Sequence, residues 1–181
     1  DIISEAALAA GYDVKKTDAL GMAQRGGSVL SHVRLGGTVR SPLIKEAGAD
    51  IMLAFEKLEA ARWGHDLRPG AVVIINNYAR PPLSVNLGYD AYPPDDEILN
   101  VMKQRSDRIH FVEGTGQATA MGNPKTLNIF MLGCASCFLP IKVSIWRDII
   151  EKHTPPAARK LNIAAFSRGR KEIRSVTLSQ G

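Results

Sequence analysis

Pro69-Gly70-Ala71-Val72-Val73-Ile74-Ile75 is the stretch that decides the fold, because five consecutive apolar residues behind a Pro-Gly boundary leave no polar face. A strand of this kind is buried on both sides, as in a sheet covered by helices. Ala49 to Phe55, behind Gly48, is a second apolar run. Between the two runs Glu56 to Trp63 reads as a helix, and Asp95 to Arg105 as another, with three carboxylates in its first turn. Ile109 to Glu113 supplies a further strand.

Towards the N-terminus, Tyr12 to Thr17 and Ser28 to Leu35 read as strands, the second alternating Val29, Ser31, Val33 and Leu35 with Ser28, Leu30, His32 and Arg34. Asp1 to Ala10 is Ala-rich, with Ile2, Ile3, Ala6, Ala7 and Ala10 on one helical stripe and Gly11 as its stop. The apolar Ile2 and Ile3 precede any good cap and look like the middle of an element, so we expect residues upstream of Asp1 to be missing from this numbering. Asn128 to Phe138, Ser144 to His153 and Ala157 to Lys171 make the C-terminal third, 126–174, helical. Strands alternating with helices predict an α/β fold: one domain over 1–181, with a mainly parallel sheet and helices on both faces in a Rossmann-like three-layer arrangement. Tyr78 to Pro94 is the one loop-rich stretch, with four of the ten prolines, and long loops of this kind are disproportionately functional or contact partners.

The chain has 181 residues, 45% of them hydrophobic and 23% charged, with 2 cysteines. Such a length buries roughly 70% of the surface its unfolded chain exposes, so no disulfide or structural metal is needed. No run approaches the ~18 apolar residues of a membrane span, and no basic, apolar and cleavable leader opens the chain. The expectation is a cytoplasmic protein without a membrane role.

The net charge of +5 suggests nucleic acid until it is located. Residues 1–146 carry 15 basic and 15 acidic side chains, so the excess falls entirely in 147–181, with eight basic residues against Asp148, Glu151 and Glu172. A basic end could meet an acidic partner, but a solvated helix gives the same count. No nucleic-acid partner is expected.

Unusual residues are densest in Gly21-Met22-Ala23-Gln24-Arg25-Gly26-Gly27-Ser28, between two predicted strands. Three glycines allow positive φ and close approach of backbone N–H groups to a ligand, and Arg25 offers a planar fork for phosphate or carboxylate. Gln24, Arg25, Gly26, Gly27 and Ser28 are therefore candidate anion-binding or interface residues; the plainer alternative is a tight turn whose arginine pairs with a carboxylate. No Gly-Lys-Ser/Thr closes it as a phosphate loop, and the later Gly114-x-Gly116 with Gly122 has the wrong spacing for a dinucleotide fingerprint, although Gln117 opens an Ala-rich helix there. Cys134 and Cys137 share a helix face but lie among Ile129, Met131, Leu132 and Phe138, which favours packing over redox chemistry. The four histidines are scattered without metal-ligand spacing, and no nucleophile elbow is present. Glu56 and Glu59 with Arg62 and Trp63 form a helical charge face that could meet a partner chain or simply face solvent. The residues thus give neither a catalytic constellation nor a metal site of the chain's own.

Gly11 to Gly36, and above all Gly21-Met22-Ala23-Gln24-Arg25-Gly26-Gly27-Ser28, resembles the gamma-type domain of 2-oxoacid:ferredoxin oxidoreductases, most of all its indolepyruvate-type beta subunits. Ser41-Pro42-Leu43-Ile44, Ala49 to Leu53 running into Glu56, Glu59-Ala60-x-Arg62, and Asn162-x-x-Ala165-Phe166 with Gly169-Arg170 match in order. The resemblance implies a non-catalytic subunit of a larger oxidoreductase. In such complexes a thiamine diphosphate-dependent partner decarboxylates a 2-oxoacid such as indolepyruvate or pyruvate, electrons leave through iron-sulfur clusters to ferredoxin, and coenzyme A takes the acyl group. Thiamine diphosphate and the clusters are then expected on partner subunits and no cofactor on this chain alone, and a homodimer stays open. Relatives usually begin with a strand and a Gly-x-Gly-Gly-Gln-Gly loop that feeds the first helix, so the resemblance implies that the N-terminal strand is missing from this numbering. A stand-alone nucleotide- or phosphate-binding module is the alternative reading.

Overall fold

The structure is a computed structural model that describes residues 1–20 and 29–179. Its elements are α1 (Ile2–Ala9), β1 (Asp13–Leu20), β2 (Val29–Gly36), β3 (Ala49–Ala54), α2 (Lys57–Arg62), β4 (Leu67–Asn76), α3 (Leu83–Asn86), α4 (Asp95–Lys103), β5 (Ile109–Val112), α5 (Gly114–Ala120), α6 (Leu127–Ala135), α7 (Val143–His153) and α8 (Pro156–Ser179). Short 3₁₀ turns at Gly64–Asp66 and Pro124–Thr126 precede β4 and α6.

β3, β4 and β5 form a parallel sheet with β4 in the middle. Every residue from Ala71 to Asn76 is buried, and successive side chains go to opposite faces. Val73 and Ile75 meet Ala60 of α2 and Met102 of α4. Val72 and Ile74 meet Phe130 and Met131 of α6 and Ile173 of α8. The sheet is therefore the middle of three layers, as an all-apolar strand requires. Each fully buried Val or Ile is worth about 1.5–3 kcal/mol over its exposed state.

β1 and β2 depart from the expected layout. They pair antiparallel with each other, Asp13 opposite Gly36 through Leu20 opposite Val29, in a sheet of their own. Eight residues join their paired ends, and parallel strands need a crossover of a dozen or more, so only the antiparallel arrangement is within reach. Other boundaries shift: β4 begins at Leu67, α5 opens at Gly114 and not Gln117, and α8 runs on to Ser179. The long loop contains α3.

α1 packs with α7 and α8 through Ala6, Ala7, Trp146 and Phe166. Asp1 is its N-cap residue and makes no side-chain cap bond. α6 and α8 touch backbone to backbone. A Cβ on Gly133 would lie 2.2 Å from the Phe166 carbonyl oxygen, and one on Gly169 would lie 2.0 Å from that of Phe130. Only glycine fits at either place. Among the described residues no helix is long and apolar enough to cross a membrane.

Candidate functional site at the carboxyl edge of the sheet

In an open parallel sheet, ligands and partners meet the carboxyl ends of the strands, so the residues following β3, β4 and β5 are where a site is sought. Glu56 follows β3, Asn76 ends β4, and Glu113 follows β5.

Asn76 is fully buried and its amide is fully used. Its Nδ2 donates to the Phe55 carbonyl at 3.1 Å and to Thr115 Oγ1 at 2.8 Å, while Oδ1 accepts from the Thr115 N–H at 3.1 Å. One side chain thereby ties the end of β3 to the start of α5. Gly114 makes this approach possible, since a Cβ there would lie 2.9 Å from Asn76 Oδ1. Because the Thr115 N–H is already engaged, the start of α5 offers a weak phosphate cradle, which counts against the Gly114-x-Gly116 dinucleotide alternative. Asn77 reaches across to Glu113.

Glu56 organises the opposite side of this edge. Its Oε2 accepts from the Glu59 N–H at 2.9 Å and caps α2, and its Oε1 accepts from the Arg80 N–H at 3.2 Å and from the Tyr92 hydroxyl. Burial first, and the Glu56 carboxylate next, push the Tyr92 hydroxyl pKa above its ordinary value. The neighbouring Lys57 ammonium, almost buried, pairs with Asp95 at 2.5 Å, and the Lys57 N–H donates to the Tyr78 carbonyl at 3.1 Å. Both ends of the long loop are thus strapped to Glu56 and Lys57. Arg62 pairs with Glu59 at 2.7 Å along the helix, so of the predicted charge face Glu59 and Arg62 behave as a surface pair, while Glu56 is an anchor.

Beside this edge, an apolar cleft of about 350 Å³ separates β2 from the outer side of β3, lined by Leu30, Val33, Ile51 and Leu53. A second hollow of about 320 Å³ carries it on, past Val29 and Phe55, to Glu56, Glu59 and Trp63. Gln24, Arg25, Gly26, Gly27 and Ser28 lie outside the described residues. Their flank is in view: Val29, the next residue along, lines the hollow that ends at Glu56.

Cys134 is buried, its Sγ donates to the Gly169 carbonyl at 3.3 Å, and burial pushes its thiol up to about 12. A buried, protonated thiol committed to a backbone carbonyl does not fit the deprotonated ligand that an iron-sulfur cluster takes. Among the described residues no three His, Cys, Asp or Glu side chains are grouped to hold a metal ion. Two of the C-terminal arginines are engaged internally. Arg168 donates to Gln117 Oε1 at 3.0 Å, and Arg170 donates to Ser136 Oγ at 2.6 Å and lies over the Phe166 ring.

The pyruvate ferredoxin/flavodoxin oxidoreductase family model matches residues 1–172. The chain belongs to this family. Among its relatives is the indolepyruvate oxidoreductase subunit IorB of Archaeoglobus fulgidus, 35% identical over 93% of this chain and 84% of the relative. The IorB subunit of Pyrococcus horikoshii is 31% identical over 97% of this chain and 89% of its own length. The gamma subunit of a keto/oxoacid ferredoxin oxidoreductase from Geobacter sulfurreducens has the same fold, with a TM-score of 0.68 at 18% identity over 96% of this chain and 88% of that one. Within the family fold, Glu56, Asn76 and Tyr92 are the residues that sequence reasoning missed as a group. Their signal is faint: a carboxylate just after a strand, an asparagine closing an apolar run, and a tyrosine in a proline-rich loop.

Proposed function

We propose that this chain is the IorB-type subunit of an indolepyruvate:ferredoxin oxidoreductase, completing the assembly around a thiamine-binding, iron-sulfur subunit that carries the chemistry. One observation carries the reading: relatives 31–35% identical over 93–97% of the chain bear that subunit's name. In the reaction the oxoacid loses carbon dioxide, its acyl carbon passes to the coenzyme A thiol, and two electrons pass one at a time to ferredoxin. Thiamine diphosphate, the clusters and the ferredoxin contact belong to partner subunits, and the assembly works in the cytoplasm. This chain folds as one domain and contributes the segment Gln24 to Ser28, with Arg25 meeting a coenzyme A phosphate or the partner's surface. Support for that placement is chemical: Gly21 to Ser28 combines three glycines and a guanidinium, and the flanking Val29 lies in the hollow leading to Glu56.

Arg25→Ala in the reconstituted complex tests the site. A rise in the coenzyme A concentration needed for half-maximal rate, or weaker assembly, is the expected result. Unchanged kinetics and assembly would remove Arg25 from the site and leave the subunit reading in place.

A further inference from the structure

The loop Tyr78 to Pro94 is tied down at both ends and then turns its apolar side chains outward. At the base, Glu56 accepts from Arg80 and Tyr92, and Lys57 holds Tyr78 and Asp95. At the tip, α3 buries none of its residues, yet its conformation is fixed locally. The Leu87 N–H donates to the Leu83 carbonyl at 2.9 Å, the Tyr89 N–H to the Ser84 carbonyl at 2.9 Å, and Asn86 Nδ2 to the Pro81 carbonyl at 3.2 Å. Pro81, Pro82, Pro93 and Pro94 restrict the chain on either side, so little conformational freedom remains to be lost on docking. What this ordered tip presents is Leu83, 71% exposed, Leu87, 58% exposed, and Tyr89, 83% exposed. Leu83 opens α3, Leu87 is its C-cap four residues on, and Tyr89 follows across Gly88, so the three exposed side chains fall within seven residues of one ordered tip. Preordered, exposed apolar clusters mark interaction surfaces, and aromatic side chains dominate their energetics.

The charge around the anchor selects the partner. Asp90, Asp96 and Glu97 stand exposed on the C-terminal side of the tip, beside Asp95, which is paired with Lys57, and Arg80 is the loop's own cation. We infer that this loop is a docking element for another subunit of the same complex, which receives Leu83, Leu87 and Tyr89 in an apolar pocket rimmed by lysine and arginine. The inference rests on the subunit reading above and adds the surface through which assembly occurs. A pocket of that kind also explains why the loop is strapped so firmly to α2: the anchor must hold its position relative to the sheet edge.

The test uses the full chain co-expressed with a tagged thiamine-binding subunit, and compares wild type with Leu83→Ser/Leu87→Ser/Tyr89→Ser. Because all three side chains are exposed, the isolated variant should keep the wild-type circular dichroism and melting temperature; should it fail to fold, Tyr89→Ser alone takes its place. The expected result is at least a tenfold loss of affinity for the larger subunit, with a comparable loss in Asp90→Lys/Asp96→Lys/Glu97→Lys and progressive weakening of the wild-type complex as salt rises. Variants that bind as tightly as wild type would overturn the docking role and leave the subunit reading intact. A self-associating isolated chain that the serine variant renders monomeric, with subunit binding unchanged, would overturn it in favour of contact between two copies. Failure of the wild-type chain to bind the larger subunit at all would overturn the subunit reading, and the docking role with it.

Discussion

The Tyr92 hydroxyl donates to the carboxylate of Glu56, 36 residues away in sequence, and the other oxygen of that carboxylate caps α2. One side chain therefore holds both a helix start and a loop. Replacing it with alanine orphans the Glu59 and Arg80 N–H groups and the phenol together. A cap is worth about 0.5–2 kcal/mol and each of the two further hydrogen bonds about 1 kcal/mol, so Glu56→Ala should cost about 2.5–4 kcal/mol. Thermal melts should show the loss, and limited proteolysis should cut first between residues 78 and 94.

Tyr92→Phe should separate the two functions of that carboxylate. The folded-state pKa of the phenol is raised by burial and by Glu56, so its contribution is fully present below the unfolded value of about 10 and is lost as the pH rises above it. Wild type should lose melting temperature above about pH 10, and Tyr92→Phe should lose less over the same interval while its α2 cap stays intact.

How far the sequence alone reaches is clear from two contrasts. Ala71 to Ile75 announces a central strand because burial on both faces leaves no room for polar residues, and that requirement is local. The partnership of Glu56 with Tyr92 is not local, and Glu56 reads from its neighbours as part of a solvated helix face. The C-terminal charge shows the same limit. Arg168 and Arg170 count as unbalanced cations in the sequence, yet they are engaged by Gln117, Ser136 and the Phe166 ring, all neutral partners that a charge count does not register. β1 and β2 were legible as strands, but their isolation in a separate hairpin follows from chain connectivity and not from residue pattern.

Gly169→Ala should be among the most damaging small changes in the chain. Its new methyl would lie 2.0 Å from the Phe130 carbonyl oxygen, so α6 and α8 would have to move apart across the whole lower face of the sheet. Overpacking of this kind typically costs about 1–3 kcal/mol. Urea titration should show a lower midpoint, and Gly116→Ala, where nothing lies within 4 Å, should leave it nearly unchanged.

Three surface carboxyls should make the fold acid-sensitive. Hydrogen bonds from Lys152 and His153 hold Glu5 below the usual carboxylate range, the Val39 N–H and Lys15 do so for Asp13, and the Ser31 hydroxyl and Lys16 for Asp18. Each folded pKa lies below its unfolded value of about 4, so the stabilisation is present above that value and disappears as the pH falls through the folded one. Melting temperature should drop on acidification below about pH 4, and Glu5→Gln should flatten that drop.

That this chain acts as a subunit is tested most directly by a titration. Increasing amounts of the purified chain are added to a fixed amount of the thiamine-binding subunit while indolepyruvate-dependent reduction of ferredoxin is recorded. A working subunit gives a rate that rises with added chain and saturates at a fixed molar ratio, coinciding with co-elution of the two proteins. A rate that is already maximal without the chain, or unchanged at every ratio, would contradict it.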